Sequence, residues 1–162
     1  MTEKKTSIEL KKLNKSFGDI DAVNDVSLKI TESDFFTILG PSGCGKSTIL
    51  RLIAGLEVQD SGSIIINNRD CSFVPANERP VNMVFQSYAL FPHLNVRENI
   101  EFGLKLKKIS GKDIKIRVEE ILELVKMDGY ELKLPSELSG GQRQRVALAR
   151  AIVNLSLIHI SE

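Results

Sequence analysis

Gly40-Pro41-Ser42-Gly43-Cys44-Gly45-Lys46-Ser47-Thr48 fits the phosphate-loop pattern G-x-x-x-x-G-K-[ST]. Ahead of it, Phe35-Phe36-Thr37-Ile38-Leu39 is a short apolar run rich in strand formers. Behind it, residues 48–54 read as a helix that starts near Lys46 and stops at Gly55. Strand, glycine loop and helix form the context the pattern needs. A chance lysine in a glycine-rich turn would lack both flanks.

The chemistry follows from the residue types. Glycines at 40, 43 and 45 let the backbone curl so that successive N–H groups face phosphate oxygens. The helix start adds the positive end of its dipole. Lys46 places a point charge near the β- and γ-phosphates of a nucleoside triphosphate, and Ser47 offers a hydroxyl to Mg²⁺.

Upstream, residues 7–13 and 22–30 alternate apolar and polar, which predicts an antiparallel β layer ahead of the loop. Phe17 falls on the turn between them. It reads either as an ordinary core or edge aromatic or as a stacking platform for a flat heterocycle. Downstream, residues 62–66 read as a strand with a turn at Asn67-Asn68, and residues 81–85 as another strand. Gln86 ends that strand, where open α/β sheets place ligand contacts; the plain alternative is a solvated loop glutamine.

Residues 88–94 are apolar for a loop, so they pack internally or form a docking surface. His93 has no partner at metal-ligand spacing. Asn95 and Glu98 resemble a capping box that opens a helix through about Leu106. A helix is predicted over 112–127, ended by Gly129, and another over 143–152. Leu138-Ser139-Gly140-Gly141-Gln142 precedes that last helix and makes a second glycine turn suited to an anion. One nucleotide does not need two such cups so far apart in sequence, so the second is read as serving a nucleotide held by another copy of the protein.

Bulk properties set the bounds. With 162 residues the chain has room for one domain with a core. A formal net charge of +1 makes no case for nucleic acid or an anionic surface. There is no apolar run of membrane-spanning length, and the first six residues lack the apolar stretch of a signal peptide. Two cysteines, Cys44 and Cys71, are no disulfide framework and read as reduced thiols of a cytosolic protein.

Taken together, residues 40–48, Gln86 and residues 138–142 resemble, in order and spacing, the Walker A, Q-loop and signature motifs of ATP-binding-cassette ATPases. The stretches 35–46 and 79–93 look most like the ATP-binding subunits of bacterial spermidine/putrescine importers, a text shared in part with importers of sugars, iron and other solutes. The resemblance implies an α/β P-loop NTPase (RecA-like) core with an N-terminal antiparallel β layer and a helical subdomain at about 88–138. It implies that Phe17 stacks on adenine. Gly40, Pro41, Ser42, Gly43, Cys44, Gly45, Lys46, Ser47 and Thr48 would hold ATP, with Ser47 and Gln86 meeting Mg²⁺. Ser139, Gly140, Gly141 and Gln142 would close over the ATP of a second subunit. Residues 86–94 would receive a permease subunit, with an extracytoplasmic solute-binding protein engaged indirectly. The place implied is peripheral, on the cytoplasmic face of the cell membrane. A P-loop kinase or GTPase does not explain residues 138–142, and soluble cassette ATPases tend to carry large insertions or paired cassettes.

The resemblance stops after Asn154. The family continues with a strand ending in a Mg²⁺-binding Asp and then the catalytic Glu, whereas Leu155-Ser156-Leu157-Ile158-His159-Ile160-Ser161-Glu162 resembles the translation of a sequencing-library adapter. Residues 155–162 are therefore read as an artefactual tail on a cassette covering 1–154, truncated before its catalytic Glu. By that expectation the fragment binds ATP weakly and hydrolyses little.

Overall fold

The computed structural model describes residues 5–85 and 87–154, and the backbone of 158–161. The chain forms two compact units, residues 1–81 and 82–162.

The first unit is built on an antiparallel sheet of order β2-β1-β3-β4, from β1 (Thr6–Phe17), β2 (Ile20–Thr31), β3 (Ser61–Ile66) and β4 (Arg69–Asp70). Alternation sets the register: Ile8 and Leu10 lie inward opposite Ile30 and Leu28 on one side and Ile66 and Ile64 on the other. Glu9, facing the other way, bridges Lys29 at 2.9 Å and Lys11 at 3.2 Å. A bulge with Lys12 at φ 46° resets the phase, so Leu13 stays buried although it breaks the period of two. Asn67 and Asn68, at φ 50° and 62°, make the tight β3–β4 turn.

Helix α1 (Lys46–Ala54) follows the glycine loop and buries Ile49, Leu52, Ile53 and Ala54. Gly55, at φ 76°, closes it as predicted. Buried Arg79 then donates to the carbonyls of Leu52 (2.7 Å) and Ile53 (3.0 Å) at the end of α1, where Leu52 O also accepts Gly55 N–H at 3.2 Å. Two expectations change. Residues 35–39 are not a strand: no described strand pairs with them, and Phe35, Phe36 and Leu39 are exposed. An apolar run becomes a strand only when a neighbour accepts its N–H groups. Phe17 is the last residue of β1, opposite Ile20, and not part of the turn.

In the second unit, α2 (Val96–Leu106), α3 (Gly111–Leu124) and α4 (Gly140–Val153) pack around Ile100, Leu104, Val118, Leu122, Met127 and Val146. A two-stranded sheet pairs β5 (Val81–Val84) with β6 (Ile158–Ser161). The capping box of α2 is present, with both Asn95–Glu98 hydrogen bonds formed. Helix α3 starts at an N-cap the sequence reading passed over, Ser110, and ends before Gly129. Lys126 takes the left-handed conformation (φ 55°); its N–H reaches Glu123 O at 3.0 Å, and Met127 N–H reaches Leu122 O at 2.9 Å. That is a Schellman closure built on lysine instead of glycine. Arg145 of α4 supports it by donating to Lys126 O at 3.0 Å.

Candidate nucleotide-binding loop and signature turn

Gly45 is the N-cap of α1 at φ 87°, and a Cβ there would lie 2.0 Å from the Ala22 carbonyl oxygen. Only glycine allows β2 to approach the loop this closely. Gly43, at φ 82°, has open space around it, so its requirement is conformational. The first helical bond of α1 runs from Ile49 N–H to Gly45 O at 3.0 Å. The N–H groups of Lys46, Ser47 and Thr48 therefore have no helical acceptor, and no acidic residue occupies the first turn to compete for them. Ser47 is exposed at this end, while Lys46 and Thr48 are half-buried. Lys46 Nζ donates to the carbonyls of Gly40 (2.8 Å) and Pro41 (2.6 Å), with Cys44 Sγ at 3.6 Å. The lysine thus staples its own loop into a hairpin.

The arrangement fits a triphosphate with Mg²⁺: free amide donors, a nearby ammonium and an exposed hydroxyl converge at a helix start whose first turn carries no acid. Among the described residues no group of three or more His, Cys, Asp or Glu gathers to hold a metal. The cation implied by the fold would rest on Ser47 and the phosphates. Gln86, its other expected ligand, lies outside the described residues.

Phe17 is 47% exposed at the β1–β2 corner, and Lys15 Nζ stands 5.1 Å from its ring centroid. Lys15 pairs with Asp60 at 3.3 Å and Glu57 at 3.4 Å. Burial alone would lower its pKa, but the two carboxylates together outweigh burial and raise it. Asp60 accepts Ser16 N–H at 2.7 Å; that bond, then Lys15, holds its carboxyl below the usual range.

The signature turn lies in the second unit. Ser139 is the N-cap of α4: its Oγ accepts Gln142 N–H at 3.3 Å, and its own N–H donates to Gln142 Oε1 at 2.8 Å. Helix α4 thus begins at Gly140, three residues earlier than predicted, because the cap draws the glycines into the first turn. Gly140 and Gly141 N–H keep no helical acceptor, and the first turn carries no acid.

Residues 88–91 are clasped to this helix. Arg150 donates to Ala89 O at 2.7 Å and covers the Phe91 ring at 4.8 Å; Arg143 lies 5.8 Å from the Tyr88 ring. Burial lowers the Arg150 pKa. Tyr88 and Ala89 sit at φ 66° and 47°, an uncommon conformation for residues with side chains. Buried Asn99 accepts Phe91 N–H (2.9 Å) and donates to Phe91 O (3.1 Å) and Leu94 O (2.8 Å). Beside the loop is a cavity of about 130 Å³ lined by Tyr88, Ala89, Phe102 and Arg150 among others. The internal-packing reading holds for Leu90, which packs on the helical core, while Pro92 and His93 are exposed. Sequence reasoning missed Lys15, Asp60, Asn99, Arg143 and Arg150. Only Asn99 left a trace, as a polar residue beside the apolar stripe Val96, Ile100, Leu104.

Comparison with known proteins agrees with this geometry. The family model described as ABC transporter matches residues 23–161. "Spermidine/putrescine import ATP-binding protein PotA" of Pasteurella multocida is 52% identical over 94% of the chain and 41% of its own length. The protein of the same name from Photobacterium profundum is 54% identical, with the same coverage. The chain thus spans about two fifths of the length of these curated relatives. Among solved structures, the dimeric ATP-binding cassette MJ0796 in a post-hydrolysis state bound to ADP and Pi is 35% identical. It superposes with a TM-score of 0.86 over 95% of this chain and 72% of its own. Another dimeric structure of MJ0796, a bacterial ABC transporter cassette, gives 36% identity and the same TM-score of 0.86. The fold is therefore the α/β P-loop core of ABC ATPases, and the chain belongs to the ABC transporter family.

Proposed function

We propose that the chain is the nucleotide-binding part of an importer's ATP-binding subunit, which couples ATP hydrolysis to polyamine uptake. The observation that carries this is the lysine-stapled loop with three acceptor-free N–H groups at the start of α1. Incoming phosphate oxygens compete with the carbonyls of Gly40 and Pro41 for Lys46, so the staple becomes a phosphate ligand. Ser42, Gly43, Cys44, Gly45 and Thr48 complete the cradle. Ser47, with Gln86, would hold Mg²⁺, whose charge offsets that of the phosphates. Phe17 stacks on the adenine. Ser139, Gly140 and Gly141 present a second cup to the ATP of a partner subunit, a reading supported by the dimeric state of the MJ0796 structures. The strained loop at 88–91 meets a permease subunit, and its ties to Arg143 and Arg150 carry that contact to the signature helix. No described helix is long and apolar enough to cross a membrane; membrane attachment would come through the permease, on the cytoplasmic face.

Polyamine is the solute because both curated relatives carry that name at more than half identity. Two measurements test the proposal. Calorimetric ATP binding in Mg²⁺ is expected for the chain and is lost in Lys46→Ala. Cells in which the parent gene is disrupted are expected to lose uptake of labelled spermidine and putrescine. Retained polyamine uptake with lost sugar or iron uptake would reassign the solute and leave the nucleotide site standing.

A further inference from the structure

The geometry points to Lys15 as a positioning residue for nucleotide binding: it backs the Phe17 ring and presents it as a base platform. This rests on the reading of Phe17 as the adenine platform. Three observations carry it. The Lys15 ammonium stands 5.1 Å from the Phe17 ring centroid, within the range of a cation–π contact. The ammonium is not a wandering surface charge: its side chain is 14% exposed and is held between Asp60 and Glu57. Asp60 also takes Ser16 N–H at 2.7 Å, so one carboxylate fixes both the lysine and the backbone between it and the ring.

A phenyl ring at a strand end has two free side-chain torsions, and a base that stacks on it must freeze both. A pinned cation freezes them beforehand. It also draws electron density from the ring, which favours stacking against an electron-rich purine. Phe17 remains 47% exposed, so the cation does not seal the ring. The competing account makes Lys15 an ordinary ion-pair partner, worth little to stability and nothing to ligand choice.

Calorimetry with two probes, Mg²⁺-ATP and inorganic tripolyphosphate, separates the accounts. Lys15→Met keeps the aliphatic stem and removes the cation. It is expected to weaken ATP about three- to fivefold, from the usual size of exposed cation–π contacts, and to leave tripolyphosphate unchanged. Lys15→Arg restores ATP affinity. In a Phe17→Ala background, Lys15→Met has no further effect. Equal weakening of both probes, persistence of the effect without Phe17, or unchanged ATP affinity each overturns the inference. If Lys15→Met does not melt cooperatively, Lys15→Gln is read by the same criteria. Phe17→Ala by itself tests the underlying reading: if it leaves ATP affinity intact, the platform falls. If it weakens ATP about tenfold while Lys15→Met does nothing, the platform stands and only the role of Lys15 falls.

Discussion

At the scale of single residues, the loop depends on two atoms that are absent and one that is present. Gly45 lacks a Cβ, and the Ala22 carbonyl fills that space. Gly45→Ala combines a 2.0 Å clash with a positive φ, so it is expected to destabilise the chain by about 2 kcal/mol or more in denaturant titration. Gly43→Ala meets no clash and bears only the conformational cost of its positive φ, about 1 kcal/mol. Lys46 supplies the present atom. Because its ammonium bonds two loop carbonyls, Lys46→Ala removes the staple that shapes the loop and, on the proposed function, a phosphate ligand as well. ATP affinity is expected to drop at least about tenfold, the equivalent of roughly 1.4 kcal/mol, by calorimetry. Lys46 and Gly45 could be read from the sequence, since the pattern names them, whereas Gly43 stands at one of its open positions. The clash partner Ala22 could not, because it arrives from a strand paired far upstream.

At the scale of elements, caps decide where the helices begin, and that of α4 is also part of the glycine turn at 138–142. Ser139 is a case in which two roles can be separated. Ser139→Ala loses the cap and is expected to cost about 1 kcal/mol in thermal melts. Ser139→Asp keeps a good cap but adds a negative charge beside the Gly140 and Gly141 amides. Its melting is expected to match the parent, while ATP-dependent dimerisation of the full-length protein is lost in sedimentation. Matching dimerisation in both proteins would remove the signature turn from the nucleotide interface. Asn99 plays the equivalent part under the loop at 88–94. Its side chain ties Phe91 and Leu94 to α2, so Asn99→Ala is expected to cost about 2 kcal/mol and to speed hydrogen exchange at residues 88–94. The box at Asn95 was legible because it spans four neighbouring residues. The one at Ser139 was not, since its two glycines look like loop, and α4 begins three residues earlier than predicted. The Schellman closure at Lys126 was not, because Arg145 of another helix makes lysine acceptable there.

At the scale of the whole molecule, four carboxyls, Glu9, Asp60, Asp70 and Glu131, are held below their ordinary pKa. Lys29 chiefly lowers Glu9, the Ser16 N–H lowers Asp60, the Ser72 hydroxyl lowers Asp70, and backbone N–H groups, its own first, lower Glu131. A carboxyl depressed by folding stabilises the chain above its unfolded pKa, ordinarily 3.8 for Asp and 4.5 for Glu. That contribution is lost as pH falls through the folded value. Lys15 runs the other way: raised from 10.5, its stabilisation is full below that pH and is lost as pH rises through the higher folded value. Melting temperature, followed by circular dichroism, is thus expected to fall as pH drops below about 4.5. Asp60→Asn is expected to shrink that acid dependence. These groups are solvent-accessible, so high salt weakens the ion-paired share of the effect and spares the bonds from backbone N–H groups.

By itself the sequence determined what acts within a turn or two: the glycine loop and its helix, the Asn67-Asn68 turn, the box at Asn95, and the alternation of β1 and β2. Those depend on backbone dihedrals and on donors a few residues away, so the local text suffices. Only the tertiary structure decided whether residues 35–39 become a strand, which cation backs Phe17, and what clasps residues 88–91. Each of those depends on a partner dozens of residues distant, and strand pairing or a buried guanidinium gains its free energy only when that partner arrives.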